Sequence, residues 1–378
     1  MGRVLLTAGA LAMGATSAVA AGVERSAQSV AILFEQGNYA ELNFGSASPD
    51  VSGSHYVPLP PPFAGGQSGD MSGDYTTWSL GVKTKLGERL DLALVLDQAI
   101  GADVSYPAGV PYLYEGSIAS LDNTAMTAML RYRFENNVSL IGGARMARTS
   151  GLVDFGPTLA AFGFDYRLDT TTETDFGYLV GVAWEKPEIA ARVALTYNSE
   201  IEQTYDGTET LNGFTATQPF TTTIPQSVNL EFQTGIAKDT LLFGSVRWVD
   251  WTEFRIDPVL YNTAIRSPLV DYKHDSVTYT LGLGRKFTDT WSGAVIVGYE
   301  PGTNDAAACM AGQTNECVGN LGPTDGFTSL GLVATYTMDK VKVTAGVRYV
   351  AIGDAATNRG HFTDNEAIGF GLRLAYNF

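Results

Sequence analysis

The chain has 378 residues, 42 of them Gly, with 11% aromatic residues and a formal net charge of −16. That length fits two or three soluble domains or one large β-barrel. A mean hydropathy near zero excludes both a disordered chain and a bundle of membrane helices, and the acidity argues against a nucleic-acid partner.

Residues 1–20, "MGRVLLTAGALAMGATSAVA", have one basic residue, Arg3, an apolar middle, and small residues at Ala18 and Ala20. This is the pattern of a secretory signal peptide, with cleavage after Ala20 or Ala21. Beyond it no run of 18 apolar residues occurs, so any membrane span must be built of strands. The amphipathic stretch "SVAILFEQG" (29–37) precedes the first strand and must find cover elsewhere.

From residue 38 onward, fourteen segments alternate with period two: 38–47, 75–86, 90–103, 121–134, 138–150, 174–185, 188–200, 225–237, 241–254, 275–287, 290–300, 326–338, 341–352 and 365–378. In 225–237, Val228, Leu230, Phe232, Thr234 and Ile236 share one face, and Asn229, Glu231, Gln233 and Gly235 the other. Segment 241–254 is ambiguous, because Leu241, Phe243 and Val249 lie on the opposite phase from Leu242, Val246 and Trp248. Every second junction is short ("GER", "ENN", "KP", "KDT", "TD", "DK"), while the others are long and rich in Gly, Pro, Thr and Asp. Short turns on one rim and long loops on the other describe an outer-membrane barrel with its turns in the periplasm. Phe134, Trp184, Phe287, Trp291 and Phe378 fall at the short-turn end, and Tyr197, Trp251, Tyr299 and Tyr349 at the other, as two interfacial belts require. The chain ends on "AIGFGLRLAYNF". Its alternate apolar row suits lipid, closure against the first strand removes the edge, and the terminal aromatic resembles the signal read by the barrel assembly machinery.

The inward phase carries Arg131, Arg133, Arg145, Arg192, Arg348 and Arg373, with Asp91, Asp97 and Glu231 opposing them. Such charges either form a salt-bridged lumen or hold an anionic head group. Loop 151–173 contains Leu152, Phe155, Leu159, Phe162, Phe164 and Tyr166. Loop 201–224 adds Tyr205, Leu211, Phe214, Phe220 and Ile224. Both flank strands six and seven, so they are expected to meet over the barrel mouth and receive a hydrophobic ligand there. Cys309 and Cys317 are the only cysteines. In an exported protein they read as a disulfide worth roughly 2–3 kcal/mol of loop closure. His55, His274 and His361 lie in or beside long connections, and no serine sits in a G-x-S-x-G context, so no nucleophile elbow is present. Neither catalysis nor a metal or cofactor is expected.

The segments "LRYRFENNVSLIGGARMAR" (130–148), "ALTYNSEIEQTYDG" (194–207), "VRWVDWTEF" (246–254), "YTLGLGRKFTDTWSGAVIVGYEPG" (279–302) and "GLRLAYNF" (371–378) follow one another in an order that resembles the FadL/TodX outer-membrane transporters of long-chain fatty acids and other hydrophobic compounds. The resemblance implies an all-β, 14-stranded antiparallel barrel (38–378) with an N-terminal hatch (21–37) inside the lumen. It also implies a groove between loops 151–173 and 201–224, and an inner pocket where Arg148 and Lys273 (or His274) meet a carboxylate. Arg148 falls on the lipid-facing phase, so either a bulge shifts it inward or Arg145 takes the role. The family's N-P-A signature is replaced around "AQSVAILF" (27–34), and Asn198 stands where an arginine is usual. The combined expectation is passive uptake by a monomer surrounded by membrane lipid and lipopolysaccharide, with a fatty acid as ligand. Asp97, Gln98 and Gly101, which interrupt a leucine-rich strand, are the expected lateral gate. A general aqueous porin and a structural or adhesive barrel are the alternatives.

Overall fold

A computed structural model describes residues 23–56, 63 and 65–378, so the signal segment 1–20 lies outside the described residues. One sheet of eighteen strands contains fourteen that span and four others (102–105, 166–170, 201–211 and 214–224) that ride on the loop-bearing rim. The spanning strands are β1 (Tyr39–Asp50), β2 (Tyr75–Lys85), β3 (Leu90–Asp97), β4 (Ile118–Arg133), β5 (Val138–Asp154), β6 (Glu173–Lys186) and β7 (Ala191–Asn198). They continue as β8 (Ser227–Ala237), β9 (Thr240–Val249), β10 (Ser276–Lys286), β11 (Trp291–Glu300), β12 (Phe327–Met338), β13 (Val341–Ile352) and β14 (Glu366–Asn377). All fourteen expected segments are present. The barrel closes where β1 pairs antiparallel with β14, from Tyr39 opposite Asn377 to Asp50 opposite Glu366, so no edge is left open.

Faces follow the alternation. Ile368, Phe370, Leu372, Leu374, Tyr376 and Phe378 all point outward and are exposed, as lipid-facing residues must be. The ambiguity in β9 resolves in favour of an apolar patch on the inner wall: Leu241 and Phe243 are buried in the lumen with Ile296, and Arg247 and Val249 continue that phase. Phe243 lies where a side chain at Gly282 would sit, 2.3 Å from its ring. Trp251 corrects the belt assignment. It sits in a 3-10 turn just past β9, 2% exposed, and its indole donates to Ser276 Oγ at 3.1 Å.

Inward charges are paired, which offsets their desolvation. Lys83 and Arg133 both meet Asp91, at 2.9 and 3.1 Å, Arg131 meets Glu185, and Arg373 donates to Asn43 at 2.7 Å. Residues 23–37 run through this lumen. Val30, Ile32 and Leu33 are buried around the 3-10 turn Ala31–Phe34, and Phe34 lies between the guanidinium groups of Arg131 and Arg192 at 4.1 and 4.4 Å. Lys83 donates to the Glu35 and Gly37 carbonyls, the Glu231 carboxylate accepts from Ser29 and Val30, and Arg247 pairs with Glu24.

The long connections fold into a cap. Residues 201–224, expected to be a loop, form a β-hairpin whose turn, Asn212–Gly213, has φ of 50° and 81°. Two successive positive φ values are what a two-residue hairpin turn demands. Hydroxyl pairs Thr204–Thr221, Thr208–Thr217 and Thr210–Thr215 bridge its strands at 3.0–3.1 Å. In 151–173, β5 continues to Asp154, and the helix Pro157–Ala161 and the strand Tyr166–Thr170 follow. The Cys309–Cys317 disulfide joins the helix Ala306–Met310 to the chain beyond it.

Candidate functional site

Between the cap and the barrel mouth lies a chamber of about 90 Å³. Leu152 and Val153 of β5, Leu168, and Tyr205 and Phe220 of the hairpin form one wall. Phe254, Ile256, Leu269, Tyr272 and Leu321 form the other, with Val23 below. Gly207 makes the hairpin wall possible, since a Cβ there would stand 2.7 Å from the Phe220 ring and 3.2 Å from Leu168. Asp271 is the charged residue of the lining, and no Lys or Arg among the described residues lines it. Two other cavities mix apolar surface with many polar and charged side chains. One, at the periplasmic end, includes Glu35, Lys286, Lys342 and Arg373; the other, along the hatch, includes Asp97, Glu231 and Arg247.

The expected ligand residues divide into three sets. Leu152 and Phe220 line the chamber. Phe155, Leu159, Phe164 and Leu211 instead pack beside it in a cluster with Tyr166 and Tyr261, the Tyr166–Tyr261 ring centroids being 5.0 Å apart. Glu209 holds this cluster to the helix Val259–Ile265 by accepting from the Leu260 and Tyr261 N–H groups at 2.8 and 2.7 Å and from the Tyr166 hydroxyl at 3.0 Å. Phe162 and Phe214 are exposed on the outside of the cap, at 58% and 64%. Sequence reasoning missed Val23, Phe254, Leu269, Tyr272 and Leu321, which converge from the hatch and two further loops and share no periodicity.

The basic residues separate as well. Arg145 is buried and inward, donating to the Ser199 carbonyl at 3.0 Å, while Arg148 is exposed on the outer face. Lys273 is exposed and bound to Asp271, away from Arg145's wall. An inner pocket holding Arg148 and Lys273 together is therefore not formed. Arg145 lies six residues below Gly151 of the chamber on the same strand, about 20 Å at the rise of a strand.

The third strand breaks where the leucine run is interrupted. β3 ends at Asp97, the strand resumes at Ala102–Ser105, and residues 98–101 leave the ladder. Gln98 Oε1 accepts the Trp78 N–H at 3.2 Å, and Asn123 Oδ1 accepts the Ala99 N–H at 3.2 Å. From inside, the Gly101 N–H donates to the Val23 carbonyl at 2.8 Å and Ser26 donates to Asp97 at 2.8 Å. Arg25 packs so close that a Cβ at Gly101 would meet its guanidinium at 2.7 Å.

Above the chamber, His55 clasps three loops. Its ring stacks on Tyr112 at 4.1 Å, Nε2 accepts the Leu113 N–H at 3.0 Å, and Nδ1 lies 3.3 Å from the Arg359 carbonyl. This requires the neutral ring with its proton on Nδ1. Burial pushes the His55 pKa down, and the nearby Arg359 charge adds to this. A detached His55 takes a proton near pH 6.5, the clasped one only at lower pH. The clasp's contribution is therefore whole above about pH 6.5 and falls away as the pH drops toward the lower folded value. Protease cleavage within the cap loops is expected to rise between pH 7.5 and pH 5, and His55→Gln to flatten that dependence. An unchanged dependence in the variant would place the sensor elsewhere.

The sequence model of the outer membrane protein transport family OMPP1/FadL/TodX matches residues 40–378. No curated protein matches the chain by sequence. Among solved structures, a Pseudomonas aeruginosa FadL homologue superposes with a TM-score of 0.73 at 15% identity, covering 92% of each chain. The Pseudomonas putida toluene transporter TodX gives 0.63 at 11%, covering 94% of this chain and 96% of its own. The Ralstonia pickettii toluene transporter TbuX gives 0.60 at 12%, covering 91% and 90%. At these identities the superpositions speak for the fold.

Proposed function

The chain belongs to the OMPP1/FadL/TodX family of outer membrane transport proteins, and on that premise we propose that it takes up small, uncharged hydrophobic molecules. The observation that carries this reading is the chamber wall, apolar throughout except for Thr, Ser and Tyr hydroxyls and the Asp271 carboxylate. Removing apolar ligand surface from water is worth about 25 cal/mol per Å², whereas a carboxylate moved there would face Asp271, whose partner Lys273 is already engaged, and would be strongly disfavoured.

The ligand enters from the cap, passes the chamber, and leaves into the membrane at the break over residues 98–101. Passage is down a gradient by a monomer, without catalysis. Lipopolysaccharide surrounds the cap, and the barrel assembly machinery reads the Phe378 end. A fatty acid remains the second reading because Arg145 lies buried on the wall below the chamber. An alkyl chain would then extend down past the chamber and bring its carboxylate to that cation.

The test is accumulation of radiolabelled toluene and oleate in Gram-negative cells lacking their own transporters of this kind, with and without this protein. Faster toluene entry with little change for oleate is expected. Acceleration of oleate alone would favour the fatty-acid reading, and no acceleration of either would end both.

A further inference from the structure

A second chamber of about 70 Å³ adjoins the first, walled by Arg25, Tyr75, Gly101 and Asp103 beside the break in the third strand. The two cavities share Val23, Ala102, Val104, Tyr272, Leu321 and Gly322. These six residues line both chambers and so stand between them.

Most of the ring is fixed. Ala102 and Val104 sit in a strand laddered to β4, opposite Leu121 and Ala119. Val23 is held through its carbonyl by Gly101. Tyr272 packs against Trp251 and Phe254 at 5.3 and 5.7 Å. Leu321 is different, because it lies at the middle of an arm, 318–324, that belongs to no ladder. The arm hangs between two anchors. At one end the Val318 N–H donates to the Ala356 carbonyl at 3.0 Å, one residue after the Cys309–Cys317 bridge. At the other, Asp325 accepts from the Thr303 and Asn304 N–H groups at 2.9 and 2.8 Å. In the middle, the Asn320 carbonyl accepts the Tyr106 hydroxyl at 2.6 Å. Cys309 is buried, 2% exposed, on a helix docked against residues 355–356, so the bridge ties the start of the arm to a buried part of that loop.

Resting on the reading of uncharged uptake above, we propose that the arm 318–324 is the size filter of the pathway, that Leu321 decides its width, and that the Cys309–Cys317 bridge holds it there. Leu321 is the large aliphatic side chain of the ring, and its backbone belongs to no strand ladder. Truncating it widens the passage without disturbing the barrel ladders. Loss of the bridge lets the arm swing, and discrimination by width falls while capture in the upper chamber persists.

The experiment measures entry of toluene and 2-methylnaphthalene, one ring against two fused rings, into cells carrying the full chain. Leu321→Ala is expected to lower the toluene-to-methylnaphthalene entry ratio about fivefold or more, and Leu321→Trp to slow both probes. The Cys309→Ser, Cys317→Ser pair is expected to shift the ratio in the same direction as Leu321→Ala. Normal heat-modifiable migration of each variant shows that the barrel has formed, and Leu321→Met serves as a conservative replacement that should keep the wild-type ratio. If the wild type accelerates neither probe, the uptake reading fails. If it accelerates toluene but Leu321→Ala and Leu321→Trp leave the ratio and rates unchanged, the filter fails alone. An unchanged ratio in the cysteine pair overturns the role given to the bridge.

Discussion

Planar bilayers holding the intact protein are expected to show little steady ionic current, and a variant lacking residues 23–36 to behave as an open ohmic pore. The lumen of a fourteen-stranded barrel is narrower than that of a 16–18-stranded porin, but it is wide enough for water once cleared. Residues 23–37 occupy it here through polar anchors spread along the inner wall: Glu24 on Arg247, Ser26 on Asp97, Ser29 and Val30 on Glu231, and the Leu33 and Glu35 carbonyls on Arg131 and Lys83. Because these anchors come from strands around the circumference, losing one should leave the segment in place. Removing the whole segment exposes Arg131, Arg192, Arg247 and Glu231 to water, where they need no protein partner, so the barrel itself should survive. Conductance should then rise by about tenfold or more, as expected when a plug leaves a polar lumen. A large, stable current through the intact protein would sink the plug and favour an aqueous porin.

The barrel was legible because lipid and lumen impose opposite chemistries on alternate residues. That is why Leu230 and Phe370 could be placed outside, and Glu231 and Arg373 inside, from spacing alone. The same rule placed Arg145 inward and Arg148 outward, and it prevailed over the position suggested by resemblance. It failed at β9, where Leu241 and Phe243 are apolar on the inner face because they cover glycine-surfaced wall at Gly282 and Gly284. The hairpin 201–224 carries a local signal, since "LNGF" between runs of alternating threonines is a turn sequence, but its aromatics Tyr205, Phe214 and Phe220 give the segment the composition of an apolar loop. Trp251 was assigned to a belt by its distance from a strand end, and only the 3-10 turn that swings it inward could correct that. The far wall of the chamber was not legible at all. Phe254, Leu269 and Tyr272 come from the connection between β9 and β10 and Leu321 from the one between β11 and β12, and nothing in a single sequence says which loops meet.

Two pairs of substitutions separate the chamber lining from the outer surface of the cap. Phe220→Ser with Leu168→Ser removes apolar side chains that line the chamber, 8% and 2% exposed. Phe162→Ser with Phe214→Ser removes two rings from the outside of the cap, where both are mostly exposed. Each large apolar contact with a ligand is worth roughly 1.5–3 kcal/mol, and about 1.4 kcal/mol is tenfold in affinity. The chamber pair should therefore cut capture of a labelled hydrophobic probe about tenfold or more, and the outer pair should cost about twofold or less, since exposed rings lose little when removed. The chamber pair also weakens packing, because Phe220 stacks on Tyr205 at 5.7 Å. Heat-modifiable migration and an intact cap by proteolysis must accordingly be shown for it. Gly207→Val gives an independent approach to the same wall, since its side chain would press on the Phe220 ring and shrink the chamber without removing any apolar surface. Loss of capture in both the truncated and the filled variants, with the outer pair unaffected, can only come from a ligand that sits between β5 and the hairpin. If the outer pair instead loses capture while the chamber pair keeps it, landing occurs on the cap surface near Phe162 and Phe214, as loop composition alone suggests, and the chamber is merely packed core.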